Sequence, residues 1–169
     1  MNASIGKPLN TFFSWYLERR MGEIDHFYKR PIHIQDQTLF NLLKTAKSTF
    51  IGEKYSFKDI NTIRKYKNNV PLHKYQDILP LVNKMKNGES NVLWTGKINW
   101  FAQSSGTTSS TVKHIPISKE SLKNCHYKGG KDLLSIYYNE NPKTRLFLGK
   151  HLIAGGNSYP IIGNKKTVI

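Results

Sequence analysis

Seven hydroxyl side chains and one glycine fill the eight positions from 104 to 111, Ser-Ser-Gly-Thr-Thr-Ser-Ser-Thr, and Lys113 follows two residues later. Residues of this kind at this density suit the holding of an anion. Small side chains let the backbone approach a ligand closely, and Gly106 can adopt the positive φ that turns successive amides inward. The hydroxyls of Ser104, Ser105, Thr107 and Thr108 add donors, and Lys113 adds a full charge at the far end. A polyphosphate matches that set, since each charge-assisted hydrogen bond is worth about 1.5–3 kcal/mol. The loop is not a Walker loop, because no second glycine precedes a Lys-Ser or Lys-Thr pair. It matches neither the G-x-G-x-x-G dinucleotide fingerprint nor the G-x-S-x-G elbow of a hydrolase. On composition alone, an ordinary polar β-turn accounts for the same residues equally well.

A loop that grips a ligand needs both ends held. Trp100, Phe101 and Ala102 before it and Ile115, Pro116 and Ile117 after it read as strands, which sets it apart from a mobile linker. The stretches "NVLW" from Asn91, "INWFAQ" from Ile98, "KHIPIS" from Lys113 and "RLFLGKHLI" from Arg145 all have the β-branched and aromatic content of short strands. One long helix is predicted between the last two, from about Ser118 to Asn139. Its apolar face would carry Leu122, Cys125, Gly129, Leu133, Ile136 and Tyr137. Gly129 and Gly130 in its middle cost roughly 1 kcal/mol each relative to alanine, which predicts the close approach of another backbone.

Upstream, the pattern is helical. Phe13, Leu17, Met21, Ile24 and Tyr28 form a stripe between Leu9 and Arg30, with Arg19 and Arg20 off it, and Pro31 ends the run. A second helix is predicted from Gln35 to Phe50, with Gly52 as its stop. A short third carries Ile60, Ile63 and Tyr66 behind a cap formed by Ser56 and Asp59. A fourth runs from Leu79 to Lys86, with Pro80 in its first turn and Asn87-Gly88 closing it.

A chain of 169 residues, 38% hydrophobic, supports one globular unit with a real core. Lys+Arg number 26 against 11 Asp+Glu, a net charge of +15, which points to a nucleic acid, an anionic membrane or a phosphorylated ligand. Solvated lysine-rich helix faces account for the same excess. "YKRPIH" and "IRKYKNN" interleave cations with aromatic residues, so a basic nucleic-acid-binding module is the competing reading. Against it, the lysines spread over several elements and no recognised nucleic-acid motif occurs. The single cysteine, Cys125, excludes an internal disulfide and a multi-cysteine zinc site, and its apolar neighbours predict burial. The six histidines, at 26, 33, 73, 114, 126 and 151, lack paired ligand spacing, so no metal site is predicted. His114 is read as a strand residue, and Trp15, Trp94 and Trp100 as core. No run approaches the roughly 20 apolar residues of a membrane span, and the opening residues lack the apolar centre of a secretory signal, leaving the cytoplasm as the expected location.

"SSGTT" followed by a lysine resembles the phosphate-binding motif of the adenylate-forming enzymes. The segments "FAQSSGTTSSTVKHIPIS", "NCHYKGGKDLL" and "LFLGKHLIAGG", with the approach "VPLHKYQDILPLVNKMKNGESNVLWTGKINWF", are similar to the Gretchen Hagen (auxin-responsive promoter) family of acyl acid amido synthetases. The resemblance runs from Val70 to about Asn157. It implies an α/β fold: a helical amino-terminal region followed by the first strands of an adenylate-forming-enzyme large domain, incomplete at the carboxyl end. Residues 1–169 would form the amino-terminal part of a single adenylation domain, helical over 1–90 and strand-loop-strand-helix-strand over 91–169.

The family's activity would join a carboxylic acid to an amino acid at the expense of ATP, with Mg2+ accompanying the nucleotide. Ser104, Ser105, Gly106, Thr107, Thr108 and Lys113 would be the phosphate-loop residues. The chain departs from the family pattern in carrying Ser109, Ser110 and Thr111 where a second glycine is common. The later motifs that frame adenine and ribose, and the smaller carboxy-terminal domain, have no counterpart in it. The resemblance thus covers about the first third of such an enzyme, and the apolar finish Val168-Ile169 is expected to be a cut within a larger domain. By itself this piece would be inactive.

Overall fold

Apolar residues recurring at three- and four-residue spacing make the first 86 residues helical. In the computed structural model, which describes residues 3–104, 112–144, 146, 150, 152, 159–161 and 166–168, five α-helices come first, with a 3-10 turn (Phe57–Asp59) between the third and fourth. They are α1 (Ala3–Lys29), α2 (Pro31–Ala46), α3 (Phe50–Lys54), α4 (Ile63–Asn69) and α5 (Tyr75–Lys86). Strands β1 (Trp100–Gln103) and β2 (His114–Ile117) follow, then a short helix α6 (Lys119–Ser121), a π-helical turn (Leu122–Tyr127) and helix α7 (Lys128–Glu140). Strands β3 (Tyr159–Ile161) and β4 (Lys166–Val168) complete the order. Two compact units result: Met1–Ile32 with Glu120–Gly155, and His33–Lys119 with Gly156–Ile169.

In the first unit α1 packs on α7. The expected stripe on α1 shifts, because Arg20 is buried at 2% exposure while Tyr28 is 87% exposed. Arg20 tolerates desolvation because its charge is matched. Its Nε donates to Asp132 Oδ1 at 2.6 Å and its Nη2 to Oδ2 at 3.0 Å, a two-pronged pair of the strong kind. Glu23 also pairs with it, and the Phe27 ring lies 5.3 Å from the guanidinium carbon. Ser14 donates to the Tyr138 hydroxyl, and Ser135 and Tyr138 are buried beside it.

The face of α7 that carries Asp132, Ser135 and Tyr138 is therefore the packed one. Leu133, Ile136 and Tyr137, expected to be core, are exposed. The ion pair and a small serine select the packed face over apolar content. Gly129 and Gly130 do not mark a close approach either, since a Cβ at either position would meet nothing within 4 Å. They line a cavity of about 890 Å³ together with Leu17, Arg20, Tyr127 and Leu134. Cys125 is exposed rather than buried, and so is Trp15; Cys125 lies within the π turn, where the helix departs from the regular spacing that predicted its burial.

Among the first five helices the ends differ from expectation in instructive ways. Pro31 ends α1 but also opens α2, as its fixed φ and missing N–H permit. Gly52 is not a stop but lies inside α3, where a Cβ would meet the Ala46 carbonyl oxygen at 2.1 Å. Buried Thr49 caps that helix: its hydroxyl accepts from Gly52 N–H at 3.1 Å and donates to Ala46 C=O at 2.7 Å. Ser56 makes no cap bond and sits at φ 52. The cap of α4 is Thr62, which accepts the Lys65 N–H at 3.1 Å. Helix α5 starts at Tyr75, four residues before the predicted start, because the Lys74 N–H donates to Asp77 at 2.7 Å. Pro80 therefore falls inside it. "NVLW" is a bend, not a strand. Asn91 takes φ 57, and the carbonyls of Asn91 and Val92 accept the first N–H groups of α3, from Phe50 and Ile51.

The sheet order is β2-β1-β4-β3. β1 pairs antiparallel with β2 and parallel with β4, and β3 pairs antiparallel with β4. The α/β class expected from the chain thus holds. The predicted strand "RLFLGKHLI" falls largely outside the described residues, and β3 and β4 were not foreseen. Val82, Met85, Val92, Ile98 and Phe101 form the core, with Leu81, Leu93 and Trp94 packed against it.

Two stability outcomes follow. Phe101 has no exposed surface, so Phe101→Ala should lower the urea unfolding free energy by about 3–5 kcal/mol. A loss under about 1 kcal/mol would mean the core does not centre there. Arg20 hydrogen bonding holds the Asp132 carboxyl below its ordinary range, opposed by burial. Because the folded pKa is depressed, the stabilisation is present above the unfolded value of about 3.9 and is lost as pH falls through the folded one. Unfolding curves from pH 7 downward should therefore be less pH-dependent below about pH 4 in Asp132→Asn than in the native protein.

Candidate functional site

The hydroxyl-rich segment is the connection between β1 and β2. The ladder sets Trp100 opposite Ile117, Phe101 opposite Pro116, Ala102 opposite Ile115 and Gln103 opposite His114. One step further, the Ser104 N–H donates to the Lys113 carbonyl at 3.0 Å, and the Lys113 N–H reaches Ser104 Oγ at 3.3 Å. Two of the six predicted site residues, Ser104 and Lys113, are thereby brought together at the mouth of a hairpin, both of them half-buried. Ser105, Gly106, Thr107 and Thr108 lie outside the described residues.

The mouth is fixed from two directions. Phe101 of β1 shares the core with Val82 and Met85 of α5. From the first turn of α5, the Tyr75 hydroxyl accepts the His114 N–H at 2.9 Å and donates to the His114 carbonyl at 3.2 Å. The Lys113 ammonium sits 5.8 Å from the centre of the Tyr75 ring, within reach of a cation–π attraction. Tyr75 was not singled out in the sequence. Asp77, two residues after it, carried the signal, because an acidic residue in the first turn marks a helix start there.

A cavity of about 270 Å³ opens beside this clasp, lined by Tyr75, Leu79, Asn83, Lys86, Val112 and His114. Burial first, and then the nearby Lys86 charge, push the His114 imidazole below its ordinary pKa, so near neutral pH the ring is uncharged. His114 is indeed a strand residue, and the cation at the mouth is Lys113. The arrangement brings a hydroxyl and an ammonium to the two ends of the hydroxyl-rich segment, groups of the kind that hold a phosphate. Among the described residues, no three His, Cys, Asp or Glu side chains gather where a metal could be held. Among the same residues, no helix is long and apolar enough to cross a membrane.

Comparison with known proteins gives a consistent picture. Residues 20–161 match the GH3 family N-terminal domain. GH3.9 of Arabidopsis thaliana is 31% identical over 101 residues, 59% of this chain and 17% of that protein. The jasmonoyl–L-amino acid synthetase JAR4 of Nicotiana attenuata is 26% identical over 104 residues, 61% of this chain and 18% of that protein. The fold matches the solved GH3.15 acyl acid amido synthetase with a TM-score of 0.75 at 22% identity, over 89% of this chain and 27% of that one. The matched regions span less than a fifth of the length of the curated relatives. A family match over most of the chain, with the same fold in a solved member, settles the kinship: this chain belongs to the GH3 family, its residues 20–161 matching the family's N-terminal domain.

Proposed function

We propose that this chain is the amino-terminal part of a single adenylation domain in an ATP-dependent acid–amino acid ligase of the cytoplasm. The observation that carries the reading is the hairpin mouth, where Ser104 and Lys113 bracket a run of small hydroxyl residues in a GH3-family chain. In the full-length enzyme a carboxylate oxygen of the acid attacks the α-phosphorus of ATP. The bond to the β-phosphate breaks, pyrophosphate leaves, and an acyl-adenylate remains. The amine of an amino acid then attacks the activated carbonyl, loses a proton and expels AMP, which leaves an amide.

Negative charge grows on the departing pyrophosphate during the first step, so donors aimed at the β- and γ-phosphates stabilise the transition state more than the ground state. Ser104, Ser105, Gly106, Thr107 and Thr108 would supply those donors, and Lys113 the compensating charge. Magnesium would offset phosphate charge while held mainly by phosphate oxygens. The names of these relatives make an acyl acid and an L-amino acid the proposed substrate classes. The scattered lysines give the nucleic-acid reading no comparable focus.

The full-length protein should catalyse pyrophosphate exchange that depends on an added carboxylic acid. Lys113→Ala or Ser105→Ala should each lower kcat/KM for ATP by about 10- to 100-fold, the equivalent of one charge-assisted hydrogen bond. Exchange that ignores both substitutions would exclude the loop from phosphate binding. Salt-sensitive retention on DNA or RNA without any acid-dependent exchange would favour the basic binding module instead.

A further inference from the structure

We infer that Tyr75 is a positioning residue for the phosphate loop, acting through Lys113; the inference rests on the phosphate-cradle reading above. In an antiparallel ladder, residues alternate between pairs bonded to each other and pairs whose N–H and C=O point away from the partner strand. Ser104 and Lys113 are bonded to each other, so Gln103 and His114 form the next, outward-pointing pair. The outward N–H and C=O of His114 both end on the Tyr75 hydroxyl. One O–H group thus serves as acceptor and donor to the residue immediately after Lys113, using both of its capacities.

The consequence is a closed mechanical circuit. Helix α5 is anchored by Val82 and Met85, which are buried with Phe101 of β1. β1 is laddered to β2, and β2 returns to α5 through Tyr75. Lys113 lies on this circuit, with its main chain bonded to Ser104 and its ammonium above the Tyr75 ring. Tyr75 thus touches both the strand and the cation. Loss of the hydroxyl would free the β2 end of the loop while leaving the ring and the core in place.

The test uses Tyr75→Phe in the full-length enzyme, assayed by acid-dependent pyrophosphate exchange. KM is independent of the fraction of enzyme that folds, so it separates positioning from simple loss of active protein. The expected result is a KM for ATP raised about threefold to tenfold, on the scale of one neutral hydrogen bond, with KM for the acid unchanged. In a Lys113→Ala background the same substitution should have little further effect, because the two act as one unit. A Tyr75→Leu variant, which also removes the ring, should raise KM for ATP further.

An unchanged KM for ATP in Tyr75→Phe, or an equal loss with and without Lys113, overturns the positioning role and leaves the ligase reading standing. A native full-length protein that shows no ATP-dependent exchange overturns both.

Discussion

The contact on which the second unit depends is the burial of Phe101 against Val82 and Met85, none of them more than 1% exposed. It joins a helix to the first strand of the sheet. Every other feature of the hairpin is referred to that junction, because a strand held by hydrogen bonds alone would gain little net stability from them. Once β1 is fixed, the ladder places β2, and β2 places the far end of the hydroxyl segment. The polar chemistry at the mouth is thus positioned by an apolar cluster shared between helix and strand.

The hairpin was legible because its strands are short, bounded by small residues and rich in aromatic and β-branched side chains. The same signal misled at "NVLW", where Asn91 enters the left-handed region and spends its carbonyl on capping α3. Helix starts were read from the most conspicuous residue and not from the one that satisfies the free amides. Pro80 drew attention from Asp77, and Ser56 from Thr62. In the first unit, apolar periodicity chose the wrong face of α7, since pairing of Arg20 with Asp132 outweighed three exposed apolar side chains. A long-range ion pair leaves no mark on local spacing. Of the six site residues, the fold speaks to Ser104 and Lys113, whereas for Tyr75 the sequence marked only a helix start, through Asp77, and not its partner, which lies 39 residues away.

The net charge of +15 also reads differently against the structure. Several cations are occupied locally. Lys131 lies 3.6 Å from the centre of the Tyr16 ring, Lys128 sits over Phe27, Lys84 over Phe50 and Lys54 over Tyr55. Lysines stacked on aromatic rings keep their charge in water while their stems cover apolar surface. Part of the basic excess is thus a way of shielding exposed rings, distinct from any demand made by a polyanion.

Pro116 and His114 are the two outward-facing residues of β2, which lies at the margin of the sheet. One has no N–H to offer, and the other has both its backbone groups occupied by a tyrosine. A foreign β-strand arriving at that margin would find no row of open donors and acceptors to extend. The clasp that steadies the loop therefore also blunts this one margin of the sheet against added strands.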